Sequence, residues 1–422
     1  MASAVGANWA GNYEFGAARL HTPSSVEEVQ AIVAGSPHVR ALGTRHSFND
    51  LADASGDLIS LVDLPPELVI DADARTVTLA AGTRYGTVAA ALQSEGWALH
   101  NMGSLPHISV AGAISTGTHG SGNRNGSLAT AVSGLEFVTG RGELAQVTRQ
   151  APSFAGMVVS LGALGVVTRV TLDIQPTFDV RQDVYVELPW DALLESFEEI
   201  TGAAYSVSLF TNWRGDSLEQ LWLKTRLEAG EPRVLPGTVF GATSSLSKIA
   251  TLAGAELDNT TMQGGVPGPW SERLPHFRFD ATPSNGDELQ SEFFVDRAHA
   301  AAALSVVRSL GERIAPLLLV TELRTVAADE LWLSMAYERE SLAIHFTWKN
   351  EPAAVFALLP DLEAALAPFG ARPHWGKVFT GDARSVVPLY ERMPEFAALA
   401  GVYDPDRQFR NDYLERVLGL PQ

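Results

Sequence analysis

The chain has 422 residues, 46% hydrophobic and 19% charged, the balance of a packed globular protein rather than a disordered one. Thirty Lys plus Arg against 49 Asp plus Glu leave a net charge of −19, a surface that repels nucleic-acid phosphates and anionic lipid. There is no cysteine, which excludes disulfides, thiolate nucleophiles, iron–sulfur clusters and cysteine-ligated zinc.

The N-terminal third reads as alternating helix and strand. Ser25 with Glu28 is a capping box before the apolar stripe Val29, Ile32 and Val33, and Gly35 to Pro37 stops that helix. Strands are expected at 39–42, 58–62, 68–71 and 76–80, and a helix at 85–95 closed by Gly96. Between Gly112 and Gly126 five Gly and four Ser or Thr crowd into a segment too irregular for a repeat and too rich in small residues for an ordinary helix. A hairpin follows at 135–148, then a glycine-rich bend and a strand at 166–172.

Beyond residues 173–190 the segments lengthen and gain Trp and Phe. Residues 203–210, 219–225, 289–295, 316–323 and 342–348 alternate like strands of an antiparallel sheet. Helices fit 297–312, 352–367 and about 385–399, and the Gly- and Pro-rich stretch 226–270 is expected to form long surface loops. No apolar run reaches the ~18 residues of a spanning helix. The first residues lack the basic start and apolar stretch of a signal peptide. A cytoplasmic monomer with neither membrane nor nucleic-acid partner is the expectation. The ten His show no metal-ligand spacing, so no metal is expected. Only four of the 30 basic residues are Lys (Lys224, Lys248, Lys349, Lys377), so a retained Lys points to a need for its smaller, tunable charge.

Two segments suggest ligand chemistry. Ala41-Leu-Gly-Thr-Arg-His-Ser-Phe48 follows a buried strand, and backbone N–H groups in such a turn can wrap a phosphate; an ordinary turn with a satisfied His46 reads equally well. Residues 101–127 combine small residues that let a ligand approach the backbone with hydroxyls that bind polar groups, and Ile108, Val110 and Ile114 anchor the segment in the fold.

Together these segments resemble the FAD-binding domain of the vanillyl-alcohol oxidase family. The resemblance narrows to the alditol oxidases, relatives of the sugar-lactone oxidases, through words spread over nearly the whole chain. These include Leu-Gly-Thr-Arg-His-Ser-Phe (42–48), Ser-Leu-Pro-His-Ile-Ser-Val-Ala-Gly (104–112), Thr-Gly-Thr-His-Gly-Ser-Gly (116–122), Leu-Gly-Ala-Leu-Gly-Val-Val (161–167), Glu-Leu-Gln-Ser-Glu (288–292), Glu-Leu-Arg-Thr-Val-Ala-Ala-Asp (322–329), His-Phe-Thr-Trp (345–348) and Arg-Pro-His-Trp-Gly-Lys-Val-Phe (372–379). It implies a two-domain α+β fold of the vanillyl-alcohol oxidase type. The FAD-binding domain would be 1–172, the substrate domain, an antiparallel sheet with helices, 173–373, and 374–422 would return to the FAD-binding domain. Residues 408–413 look like that family's returning C-terminal strand.

The resemblance implies His46 as a covalent attachment point to the flavin 8α-methyl, with Ala41, Leu42, Gly43, Thr44, Arg45 and Ser47 around the pyrophosphate. Gly103, Ser104, Ser109, Val110, Ala111, Gly112, Thr116, Gly117, His119, Gly162 and Val167 would lie along the cofactor. A small residue at position 103 leaves related flavins open to O2, and Gly is smaller than the Ala the alditol oxidases carry.

Strand geometry points to a candidate polar floor. Positions i and i+2 share a face, so Glu322 with Arg324, His345 with Thr347, and Gln290 with Glu292 each present two polar groups together. Such a floor can partner the hydroxyls of a polyol, or simply form cross-strand salt bridges. The resemblance makes Glu322, Arg324, His345 and Lys377 catalytic, and gives the polyol Ser104, Gln290, Glu322, Arg324, Thr347 and Lys377. The implied reaction is hydride transfer from C1 to flavin N5, with His345 and Lys377 taking the hydroxyl proton and O2 becoming hydrogen peroxide. A related aldonolactone enzyme using another acceptor, or a non-catalytic flavin- or polyol-binding protein, are the alternatives.

Overall fold

The computed structural model describes residues 5–227, 236–245, 247–251, 256–281 and 286–421. Near the N-terminus Arg19–His21, Asp57–Ile59 and Val39–Ala41 form a small parallel sheet in that spatial order, crossed by the helix Val26–Gly35. Ser25 caps this helix by accepting from the Glu28 amide, but the Glu28 carboxylate reaches back to the Ser24 amide at 2.7 Å, one residue earlier than the capping box predicts. Next comes a five-stranded antiparallel sheet in the order Leu68–Asp71, Thr76–Ala80, Val166–Asp173, Val132–Val138 and Leu144–Thr148. The helices Tyr85–Ser94 and Val110–Ser115 bury Val88, Leu92, Val110 and Ile114 in the core beside it.

The second half is built on a ten-stranded sheet whose pairings are antiparallel. At its centre run Ser217–Leu227, Ser206–Thr211, Leu318–Val326, Ser341–Lys349 and Glu288–Asp296. Alternation divides these strands cleanly. Leu221, Leu223, Leu209, Leu323, Ile344, Phe346, Leu289 and Phe293 face a core shared with the helices Ala300–Ser309 and Pro352–Leu366. The opposite face carries the polar positions. Burying such apolar side chains contributes about 1.5–3 kcal/mol each, which fixes register because a one-residue slip would turn the polar face inward.

Three expectations are corrected. The stretch 226–270 is not simply surface loop. Residues 228–235, 246 and 252–255 lie outside the described residues, but Thr238–Val239, Ala242–Ser244 and Gly268–Pro269 pair onto the sheet. Thr260, Thr261 and Gln263 are buried, because the Thr261 hydroxyl donates to the Pro275 carbonyl and the Gln263 amide pairs with Ile249. Nor is 408–413 a strand. Asn411 caps the helix Asp412–Leu418 and gives its Nδ2 to the carbonyls of Asp50, Leu51 and Asp53, so the tail does return to the N-terminal half, as a helix. Finally, the helix Pro352–Leu366, continued by a 3-10 turn to Phe369, is long and apolar enough to cross a membrane by length and composition. Here Val355, Leu358, Leu359, Leu362 and Leu366 pack into the core, while Asp361 and Glu363 accept from Arg313 and Thr380.

Candidate active site

A cavity of about 800 Å3 separates the polar face of the large sheet from the loops of the N-terminal half. One wall is the turn that leaves strand Val39–Ala41. Arg45 there adopts a left-handed conformation, φ 64°, without being glycine. Its guanidinium is held by the carbonyls of Val5 and Ala7, at 2.6 and 3.2 Å, and its own carbonyl accepts from the Trp9 amide. The next residue, His46, stacks on Trp9 with ring centres 5.3 Å apart. Its Nδ1 is buried without a hydrogen-bond partner. Burial, then the nearby Lys377 and His107, push the His46 pKa down to about 4, so the ring is a neutral base at physiological pH.

Ser109 joins this turn to the second segment, donating its amide to the Thr44 hydroxyl at 3.2 Å. Glycine at 43 and 112 lets the two segments approach closely, since a Cβ on either would stand 2.8 or 2.9 Å from the Ser109 oxygen, too close unless that side chain turns. Behind them Arg40 is buried and donates to the carbonyls of Leu51, Leu161 and Phe409.

The opposite wall is a lattice of charge. Register sets Glu292, His345 and Glu322 in one row across three strands, with Gln290 and Thr347 in a neighbouring row. Glu292 is the hub. It accepts from Arg324 at 2.7 Å and His119 at 3.1 Å, with His345 Nδ1 at 3.5 Å. Burial alone would raise its pKa; Arg324, His119 and His345 together hold it well below the usual carboxylate value. Glu322 is likewise held low against burial, by Arg324 and His276. Arg324 donates directly to Glu292, however, and stands 3.7 Å from Glu322, so the expected Glu322–Arg324 pair is the looser of the two.

Lys377 donates to Gln290, which in turn donates to Glu288, and its ammonium lies 4.8 Å over the Phe48 ring. Burial pushes Lys377 down to about 8, with Arg324 adding to the shift and Glu292 opposing it. His345 is also lowered by burial; its Nε2 lies 3.3 Å from the Thr347 hydroxyl. Ser104 faces Arg324 Nη1 at 3.4 Å.

Of the residues expected to line the cofactor, all but two face the cavity. Val110 is fully buried in the core, and Gly117, φ 68°, packs beneath Met335. Both belong to turns of the segment that point away from the cleft. All the expected substrate residues and His345 line it. Sequence reasoning missed His276, His374, Glu288 and, beyond the lining, Lys224. Lys224 had a signal, as one of four lysines on an apolar strand; His276 had none, lying just past the stretch assigned to loops.

Comparison with known proteins finds two family models, one in each half of the chain. Residues 17–148 match the FAD binding domain, and residues 285–417 match the D-arabinono-1,4-lactone oxidase family. Over 421 residues the chain is 45% identical to an alditol oxidase of a Streptomyces species, covering 99% of this chain and 100% of that one. The chain belongs to the alditol oxidase family. More distant relatives of this alditol oxidase family member include an L-gulono-1,4-lactone dehydrogenase of Mycobacterium tuberculosis, 27% identical over 99% of this chain and 100% of that one. Its fold matches the crystal structure of cholesterol oxidase from B. sterolicum with a TM-score of 0.77, at 14% identity, over 98% of this chain and 96% of that one. The fold is thus the two-domain vanillyl-alcohol oxidase type. The first family match contains the loops 41–47 and 103–119, and the second contains the strands and turn that carry Gln290, Glu322, Arg324, His345, Thr347 and Lys377.

Proposed function

We propose that this protein is an FAD-dependent alditol oxidase, converting the terminal hydroxyl of a polyol such as xylitol or sorbitol to the aldehyde of an aldose, with O2 reduced to hydrogen peroxide. The observation that carries this reading is the row Glu292–His345–Glu322 with its flanking Arg324, Thr347, Gln290 and Lys377, opposite a cleft walled by glycines and hydroxyls. A polyol bears a hydroxyl on each carbon, and every one needs a new partner when it leaves water. A wall of alternating donors and acceptors answers that need.

The residues of the other wall fit FAD: the glycine approach at 43 and 112 leaves backbone open to a phosphate, and His46, a neutral imidazole, lines the cavity and can act as a nucleophile. Ala41 to Ser47 would hold the pyrophosphate, His46 the covalent link, and Gly103, Ser104, Ser109, Ala111, Gly112, Thr116, His119, Gly162 and Val167 the rest. Bound there, the flavin supplies the hydride acceptor and returns the electrons to O2. The protein supplies orientation and proton handling. Glu322, Arg324, Thr347, Gln290 and Ser104 hold the polyol hydroxyls, while His345 and Lys377 hold the reacting hydroxyl and take its proton. A lysine lowered to about 8 and a lowered His are suited to that exchange near neutrality. The flavin-binding domain in this reading is 1–172 with the tail from 374, whose Tyr413 and Leu414 pack into the same core as Leu135 and Val170. The substrate domain is 173–373.

The deciding experiment measures peroxide release in air with xylitol beside an aldonolactone. Peroxide from xylitol is expected; turnover of the lactone alone, or only with a dye, overturns the alditol reading in favour of a sugar-lactone enzyme. The covalent link is checked separately. An acid-precipitated pellet should stay yellow, and the His46→Ala pellet should be colourless with flavin in the supernatant.

A further inference from the structure

Behind Glu322 lies a buried pair that neither family match includes, since the first ends at 148 and the second begins at 285. Lys224 sits in the strand Ser217–Leu227 on the face opposite Leu221 and Leu223, and is 1% exposed. A lysine ammonium has three protons and no lone pair. Here Nζ meets three acceptors: the Leu274 carbonyl, the Pro275 carbonyl at 3.2 Å, and Nδ1 of His276 at 3.0 Å. Burial lowers the Lys224 pKa to about 7, and its ammonium form is a donor-only partner at Nδ1; with the acceptor-only Glu322 carboxylate on the other side, it places the single hydrogen of a neutral imidazole on Nε2. Nε2 points at Oε1 of Glu322, 2.7 Å away. His276 is neutral: burial, and next the charge of Lys224, lower it to about 4. Its ring packs against Trp222 and Phe210, 5.1 and 5.8 Å from its centre, and its amide donates to the Ser104 carbonyl at 3.1 Å.

Among the described residues no other side chain hydrogen-bonds Glu322. Arg324 gives Nη2 to Glu292 and comes only within 3.7 Å of Glu322 through Nε. We propose that Lys224 is a positioning residue of the polyol site: by fixing His276 as an Nε2–H donor, it clamps one oxygen of Glu322 and leaves the other to accept a substrate hydroxyl. Without Lys224 the donor at Nδ1 is lost, and the imidazole hydrogen is free to move there. The Nε2 lone pair would then face the carboxylate and drive it out of line. The inference rests on the alditol reading above.

The test uses the holoenzyme and reads KM and kcat for xylitol, together with calorimetric binding of xylitol to the dithionite-reduced enzyme. Lys224→Met keeps the length and burial of the side chain without its charge. It should raise KM and the dissociation constant about 10- to 100-fold, the weight of one hydrogen bond to a charged group, with kcat and the flavin spectrum little changed. His276→Gln carries an amide N–H near the Nε2 position and has no tautomer to lose. It should bind xylitol nearly as the parent does, and adding Lys224→Met to it should cost little more. Unchanged affinity in Lys224→Met, or the same loss in both backgrounds, overturns the proposal. If Lys224→Met does not fold, His276→Phe against His276→Gln decides: loss in Phe alone supports the clamp, and full affinity in Phe overturns it. A parent enzyme that neither turns over nor binds any polyol defeats the alditol reading, and the clamp with it; an active parent with an indifferent Lys224→Met defeats the clamp alone.

Discussion

The wall formed by residues 41–47, 103–119 and 162–167 and the wall formed by the strands Glu288–Asp296, Leu318–Val326 and Ser341–Lys349 offer a ligand different materials. The first presents glycines, hydroxyls and backbone, with its positive charges occupied: Arg40 by three carbonyls and Arg45 by two. The second presents ionised side chains that hold one another, Glu292 between Arg324 and His119 being the tightest knot. A wall of backbone is sensitive to added volume. A wall of mutually paired charges is sensitive to the loss of any one member, because the survivor is left buried and alone.

The sharpest use of that difference is Lys377→Met. Loss of a group that handles a proton in the transition state typically costs 10²- to 10⁴-fold, and kcat/KM for xylitol should fall within about that range. The pH profile should change as well. Lys377 is lowered to about 8, so its proton-accepting form is scarce below that pH; activity should rise as pH passes through about 8 and then level off. Lys377→Met should erase that limb. A variant that reduces its flavin at the parental rate removes Lys377 from the chemistry.

Glu292→Leu tests the charged wall through stability instead. Arg324 and His119 would lose their shared carboxylate, and breaking a buried pair on one side costs about 3–5 kcal/mol. Chemical denaturation should show a lower midpoint with an unchanged slope. An unchanged midpoint would mean that water or the remaining Glu322 takes up the charge, and that the wall is looser than its distances imply.

Glu292 also marks where the sequence stops being informative. Alternation alone told which residues share a face, so the pairs 290 and 292, 322 and 324, 345 and 347 were legible. It could not tell which strands are neighbours or how they are aligned. The pairing of Arg324 with Glu292 rather than with Glu322 depends on both, through the register that sets Glu292 and Glu322 on either side of His345. His276 was illegible for a stronger reason. No periodicity governs its approach; the turn of the chain that brings it in is set by distant partners, the Ser104 carbonyl and Lys224. The loop 41–48 was readable because its turn residues are local. Val110 and Gly117 lie in an equally local segment, but which of its small residues faces the cleft is decided by the packing of Val110 in the core and of Met335 against Gly117.

The backbone wall is tested by volume. In Gly43→Ala the new methyl would approach the Ser109 oxygen at 2.8 Å, so either that side chain turns or the loop shifts. A modest overpacking cost of about 1–3 kcal/mol is expected, appearing as reduced FAD content rather than as a change in polyol affinity. Shortening the neighbour should relieve it: Gly43→Ala with Ser109→Ala should recover flavin. Failure to recover would place the strain in the loop backbone instead.

Gly103 lies on the same wall and should behave in the opposite way. A Cβ there meets Thr118, His119 and Ile108 at 3.7, 3.8 and 3.9 Å, ordinary contact, and its φ lies outside the left-handed region. Replacing such a glycine by Ala narrows the unfolded ensemble without straining the fold, so Gly103→Ala should stabilise the protein by about 0.4–1 kcal/mol. Flavin reduction by xylitol should be unaffected, since no polar group of the charged wall changes. Reoxidation of the reduced enzyme by O2 should slow if the space above Gly103 is the route by which oxygen reaches the cofactor. A stabilised variant that reoxidises at the parental rate would leave Gly103 a matter of packing alone and send the oxygen path elsewhere in the cavity.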